Sequence, residues 1–135
     1  MTDAFLSKNK NRILQISAEL GHYIGDAHVP LHTCSNYNGQ KTGQRGIHGL
    51  WESRLPELNF DHYVFYPHKA QLLEHPEQQI WNAIYESHSA VDSVLRTEKK
   101  LQTDIPLSKQ RTFESRGSTE VSTYSTLYSN AYHTR

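Results

Sequence analysis

The sequence predicts an all-α fold, a helical bundle forming a single domain over residues 1–135. Three observations predict it. Apolar residues recur at spacings of three and four in the early, central and final parts of the chain. No stretch alternates apolar and polar residues convincingly enough for a strand. Pro30, Pro56, Pro76 and Pro106 punctuate the periodic stretches.

The first helix is predicted over Thr2 to Val29, with Ile13, Ile16, Leu20, Ile24 and Ala27 on one apolar stripe. Gly21 and Gly25 lie beside that stripe. Each costs about 1 kcal/mol relative to Ala inside a helix, so a close neighbour is expected there. Pro30 restricts Val29 and ends the helix. Residues 32–46, rich in Asn, Gly, Ser and Thr, read as a loop. A short second helix is predicted from about Ile47 to Leu55, stopping before Pro56. Phe60, Tyr63, Phe65 and Tyr66 follow in LNFDHYVFYPHKA, which suits a strand, a short helix or a packed connection. A third helix begins at Pro76, with Glu77 in its first turn, and runs to about Leu101. Ile80, Ile84, Val91 and Leu95 share one of its faces. Residues 107–119 read as a linker. Val121, Tyr124, Tyr128 and Ala131 then predict a last helix. It stops without a cap, as expected of a chain cut inside an element.

Length and composition narrow the function classes. A chain of 135 residues supports one domain. Its 36% hydrophobic content and mean hydropathy of −0.74 are low for a self-contained core, so a polar domain or part of something larger is expected. The 14 Lys and Arg balance 14 Asp and Glu, which leaves no electrostatic footprint for nucleic acid or an anionic membrane. Cys34 stands alone and makes no internal disulfide. No apolar run approaches a transmembrane span, and the first residues lack a signal-peptide stretch.

Histidine is the informative residue, at nine of 135. His22 and Asp26 stand one helical turn apart, and so do His48 and Glu52. One turn brings an imidazole nitrogen and a carboxylate oxygen within reach of a single cation at bond lengths of about 2 Å. His32 follows just beyond the first helix, from where it can point back. The pattern is H-x3-D-x5-H-x15-H-x3-E, three imidazoles and two carboxylates with no thiolate. Such ligation suits zinc, and other first-row divalent ions remain open. His32, His48 and Glu52 match the count of a catalytic zinc with one open position.

GHYIGDAHVPLH followed by IHGLWES resembles the zinc-dependent phospholipase C and S1/P1 nuclease superfamily. The family pattern of an H-x3-D helix, Pro-Leu-His, a variable loop and H-x3-D/E stands here as His22, Gly25-Asp26, Pro30-Leu31-His32, His48 and Glu52. The resemblance covers about residues 20 to 55 and implies a helical bundle of that type, incomplete here. It implies up to three zinc ions in an intact relative. His32, His48 and Glu52 would hold one of them. His22 and Asp26 would belong to a close pair, with Asp26 bridging it and so serving catalysis. The family's other ligands to that pair lie upstream, whereas the 21 residues before His22 contain no His and only Asp3 as an Asp. The expectation is the C-terminal part of a longer zinc hydrolase. The implied reaction is phosphodiester hydrolysis by water activated between paired zincs, with the lone zinc stabilising the leaving alkoxide. The implied substrate is a phospholipid head group or single-stranded nucleic acid, and the implied compartment is periplasmic or extracellular. Glu52, where the nucleases carry Asp, leans toward phospholipase C.

Other residues carry smaller expectations. Asn36 and Asn38, between two ligands, are candidates for hydrogen bonds to substrate phosphate, although Asn38-Gly39 turn chemistry explains them equally. Tyr37 could stack on a substrate. Arg45 is a phosphate contact or a solvated cation. His28 is read as a packing or supporting residue, Trp51 as core and Cys34 as a buried thiol. His88 is expected to be buried on the third helix, held by Asp92 or by a backbone carbonyl. His62, His68, His75 and His133 have no partner at useful spacing. Beside the hydrolase stand two further readings, a non-catalytic helical zinc module and a metal-free helical interaction domain.

Overall fold

Ser7, Lys8 and Asn9 divide the first predicted helix into α1 (Thr2–Leu6) and α2 (Lys10–Ala27). Lys8 adopts a left-handed φ of 51°, and the Asn9 side chain accepts from the Arg12 N–H at 3.1 Å. An Asn at that position satisfies one of the free N–H groups of a helix start, which favours a new helix over a continued one. This computed structural model describes residues 1–66 and 69–134. His68, expected to lack a partner, lies outside the described residues. Val29 is extended, with ψ 114°, as its proline neighbour requires, and Pro30 opens a 3-10 turn, Pro30–Thr33. The expected apolar stripe on α2 is poorly covered among the described residues: Ile13 and Ile16 are half-buried, Leu20 and Ile24 exposed, and only Ala27 is buried. Among the described residues a Cβ at Gly21 or Gly25 would meet nothing within 4 Å, so the close neighbour expected there is not found.

The second helix extends beyond its expected stop. It runs through α3 (Ile47–Gly49), a π-helical stretch (Leu50–Arg54) and α4 (Leu55–Asn59), with Pro56 inside. Proline breaks a helix because it donates no hydrogen bond. The π stretch changes the hydrogen-bond register just before Pro56, so the proline falls in the first turn of the next α segment, where no donor is needed. A 3-10 turn, Phe60–His62, follows, and Tyr63 to Tyr66 continue exposed, with no strand.

Helix α5 (Pro76–Asp104) starts as predicted and extends past Leu101. Its buried line is Ala83, Ser87, Val94, Glu98 and Leu101, while the expected Ile80, Ile84, Val91 and Leu95 flank it half-buried. The expected linker is folded. It forms α6 (Leu107–Gln110), β1 (Arg111–Arg116) and the turn to β2 (Thr119–Tyr124). The strands are antiparallel, with Arg111 opposite Tyr124 and Arg116 opposite Thr119. Gly117 supplies the positive φ of 64° that the two-residue turn requires. Val121 and Tyr124 therefore belong to a strand, and α7 (Thr126–His133) starts only after Ser125, whose hydroxyl accepts from the Tyr128 N–H at 3.1 Å. The architecture is thus mostly helical with one hairpin, rather than all-α. The hairpin is fastened by ions: Arg54 meets Glu114 at 2.6 Å and Arg116 meets Glu57 at 2.8 Å.

Two apolar clusters form the core. Leu50, Leu55, Leu101, Tyr124, Tyr128 and Tyr132 make one, and Leu31, Ile47 and Val94 the other. Trp51 packs against both, and its indole N–H donates to the Tyr132 hydroxyl at 2.8 Å. As expected, it is a core residue. Among the described residues no helix is long and apolar enough to cross a membrane.

Burial, followed by the negative charge of Glu98, pushes the Tyr124 phenol up to about 12. Burial and the hydrogen bond to Glu98 raise Tyr128 further, and burial raises Tyr132. Each folded pKa lies above the unfolded value of about 10. The associated stability is therefore complete below pH 10 and is lost as pH rises through the folded values. Spectrophotometric titration at 295 nm should show these three of the eight tyrosines ionising late, together with alkaline unfolding. A single step near pH 10 for all eight would contradict the core assignment.

Candidate metal centre

Each of three candidate ligands sits beside an apolar residue packed in the core. Leu31 precedes His32 and Ile47 precedes His48, both fully buried, and half-buried Trp51 precedes Glu52. The 3-10 turn carrying His32 and the end of α2 before it are both pinned to α5. The Ser87 hydroxyl donates to the Ala27 carbonyl at 2.8 Å, and His88 Nδ1 lies 3.2 Å from the Thr33 carbonyl. The carbonyl contact is one of the two expected of His88, but the expected burial is not found. His88 is exposed, and Asp92 instead meets Arg96 at 3.3 Å. At the centre of a long helix, Asp92 faces solvent and takes the cation one turn along.

All five residues of the sequence pattern converge. His22 Nε2 lies 3.4 Å from Asp26 Oδ2, and Asp26 Oδ1 lies 3.4 Å from His32 Nδ1. His32 Nε2 then lies 2.6 Å from Glu52 Oε1, and His48 Nε2 lies 3.2 Å from Glu52 Oε2. The two inner imidazoles are 5.1 Å apart between centroids. Ligand atoms of His32, His48 and Glu52 all lie within 4.8 Å of one another, so one ion can reach all three. Among the described residues this is the one such group, and Asp26 and His22 join it only through His32.

The donor set fits a divalent transition metal: two imidazoles and one carboxylate. His48 presents Nε2 to the cluster, while its other ring nitrogen, Nδ1, is buried without a hydrogen-bond partner among the described residues. Asp26 fits the position of an outer carboxylate that fixes the ring of a metal-binding histidine. His22 is largely exposed, with 73% of its side chain accessible.

The loop between the ligands is self-satisfied. The Asn36 side chain accepts from the Lys41 N–H at 2.8 Å, and its amide donates to Thr42 at 3.0 Å. Asn38 accepts from the Gly46 N–H at 2.9 Å. Both side chains serve the loop, as the turn reading had it, rather than standing free for a substrate. His28 closes locally on the Ile24 carbonyl at 2.7 Å, and Cys34 is half-buried beside the Leu31 carbonyl. The Tyr37 ring stands edge-on to His48 at 5.9 Å.

Two cavities flank the centre. One, of about 610 Å³, is lined by Asp26 and His32 and by the apolar surfaces of Tyr23, Ala27, Ile80 and Ile84. The other, of about 380 Å³, lies between His48 and the hairpin. Sequence reasoning missed Gln44, Glu98 and Arg111, which hold the loop and the second cavity in place. The available signal was a charged residue, Glu98, in helical register with the buried face of α5. No known protein family, curated protein or solved structure matches this chain.

Proposed function

We propose that the chain is a metal-dependent phosphodiester hydrolase that holds a zinc ion at His32, His48 and Glu52. The convergence of those three ligand atoms, from two segments separated by a long loop, carries the reading. A zinc ion held there would supply Lewis-acid stabilisation of a phosphoryl oxygen and an activated water. The protein's own part is positional. Asp26 Oδ1, 3.4 Å from His32 Nδ1, is placed to orient that ring with Nε2 toward Glu52, while Leu31 and Ile47 keep both imidazole-bearing turns seated on α5. Asp26 borders the larger cavity, and with His22 one turn away it offers a carboxylate and an imidazole to a second ion, the role the resemblance implies. The apolar walls of that cavity suit the non-phosphate part of an ester, either a phospholipid head group with its glycerol or a nucleoside. Export of the protein belongs to the same reading.

The test is metal content together with turnover. Zinc-loaded and dialysed protein should retain about one zinc per chain and hydrolyse a chromogenic phosphodiester faster than zinc-containing buffer. Absence of bound metal at neutral pH would remove the proposal. A second reading, a non-catalytic zinc module, is favoured by one observation: among the described residues, His22 and Asp26 have no further ligand with which to complete their own site. One zinc without turnover supports that reading instead.

A further inference from the structure

Arg111 opens β1 and is held in a fixed place by three features. Its Nη2–H donates to the Arg45 carbonyl at 2.9 Å. Its guanidinium carbon lies 4.1 Å over the Tyr124 ring. Gly46, with φ 103°, leaves it room, since a Cβ at that position would come 2.6 Å from Nη2. The neighbouring arginines are spent, Arg54 on Glu114 and Arg116 on both oxygens of Glu57. No carboxylate among the described residues forms an ion pair with Arg111. The bond to the Arg45 carbonyl and a further one to the Tyr124 hydroxyl still leave several of its five N–H donors unused. Arg111, His48, Ser53 and Ser122 line the same cavity, so the free guanidinium and two hydroxyls face a space that borders a candidate metal ligand.

We propose that this cavity is an anion subsite, in which Arg111 binds a phosphoryl group of the substrate next to the metal centre. The planar guanidinium matches the geometry of phosphate oxygens, which it can take two at a time. The link to turnover rests on the hydrolase reading above, but anion binding at Arg111 does not require a metal.

Inorganic phosphate is the probe, titrated into the whole chain with and without zinc. Phosphate should bind the metal-free chain and shift the Arg111 Nε–H signal in ¹⁵N-labelled protein. Arg111→Gln should weaken phosphate binding at least about tenfold, and Arg111→Lys should fall between, since it keeps the charge and loses the fork. Zinc affinity should stay within about twofold in both variants, because Arg111 lies outside the ligand set. An unmoved Arg111 signal at saturating phosphate, or undiminished phosphate binding in a folded Arg111→Gln chain, overturns the inference. Phosphate binding that depends on Arg111 in a chain that takes no zinc would uphold it while ending the hydrolase reading.

Discussion

His48→Ala is expected to strip zinc from the chain, with a larger loss of affinity than any other single change near the centre. The three-ligand set would fall to two, one imidazole and one carboxylate, with the remaining positions open to water. The cost should exceed the roughly 10- to 100-fold that loss of an outer, hydrogen-bonded partner brings. Unfolding does not explain such a loss. The His48 ring is only half-buried, and the neighbouring Ile47 supplies the fully buried anchor, so the stability change should be about 1 kcal/mol. Asp26→Asn is the informative companion. It preserves shape but weakens the contact to His32 Nδ1, so it should cost roughly 10- to 100-fold if Asp26 only orients the ring. Competition against a fluorescent zinc chelator measures both. Equal, complete loss in the two variants would make Asp26 a direct ligand of this zinc, rather than the bridge of a separate pair that the family resemblance implies. Unchanged affinity in His48→Ala would dismiss the centre altogether.

Legibility in the sequence followed the range of the interactions. His22, Asp26, His48 and Glu52 were readable because one helical turn sets their separation whatever surrounds them. Pro30 and Pro76 marked their boundaries because proline acts on the chain next to it. The hairpin was not readable for the opposite reason. Phe113 is 72% exposed and Val121 37%, so no apolar face alternates along it. What secures it is Arg54 and Arg116 reaching carboxylates about 60 residues away in sequence, and Tyr124 stacked on Tyr128. The buried line of α5 was misplaced by one residue because polar Ser87 and Glu98 lie on it, and hydropathy assigns such residues to the surface. The π stretch before Pro56 rests on a register change that no residue type announces.

Glu98→Ala is expected to lower both stability and zinc affinity, although Glu98 does not touch the centre. Its carboxylate is fully buried. It accepts from Gln44 at 2.7 Å, Tyr128 at 2.8 Å and Gln102 at 3.1 Å, with no cation among those partners. Removing it relieves the desolvation of a buried charge, which favours the variant. Against that, it opens a void and strands donors. Tyr128 can turn to the Glu98 backbone carbonyl at 3.3 Å, and Gln44 keeps the Leu95 carbonyl at 2.6 Å, so the stranded donors are few. A net loss of about 2–4 kcal/mol is expected from one or two unsatisfied groups together with the cavity. The wider consequence runs through Gln44. That residue ties the loop to α5 only three positions before Ile47, helped by Lys99 on the Thr42 carbonyl and Gln102 on the Gly43 carbonyl. Without Glu98 the loop loses its direct tie from Gln44 to that side chain, and Gln102 loses the carboxylate that steadies it on the Gly43 carbonyl, so more of the ordering of His48 has to come from zinc binding itself. Leu101→Ala separates the two effects. It should cost a comparable 2–5 kcal/mol from the same helix while leaving the Gln44 ties in place. Thermal unfolding should therefore show both variants weakened, while zinc titration below the transition should show only Glu98→Ala with reduced affinity. Equal zinc affinity in the two variants would mean that the loop does not position His48.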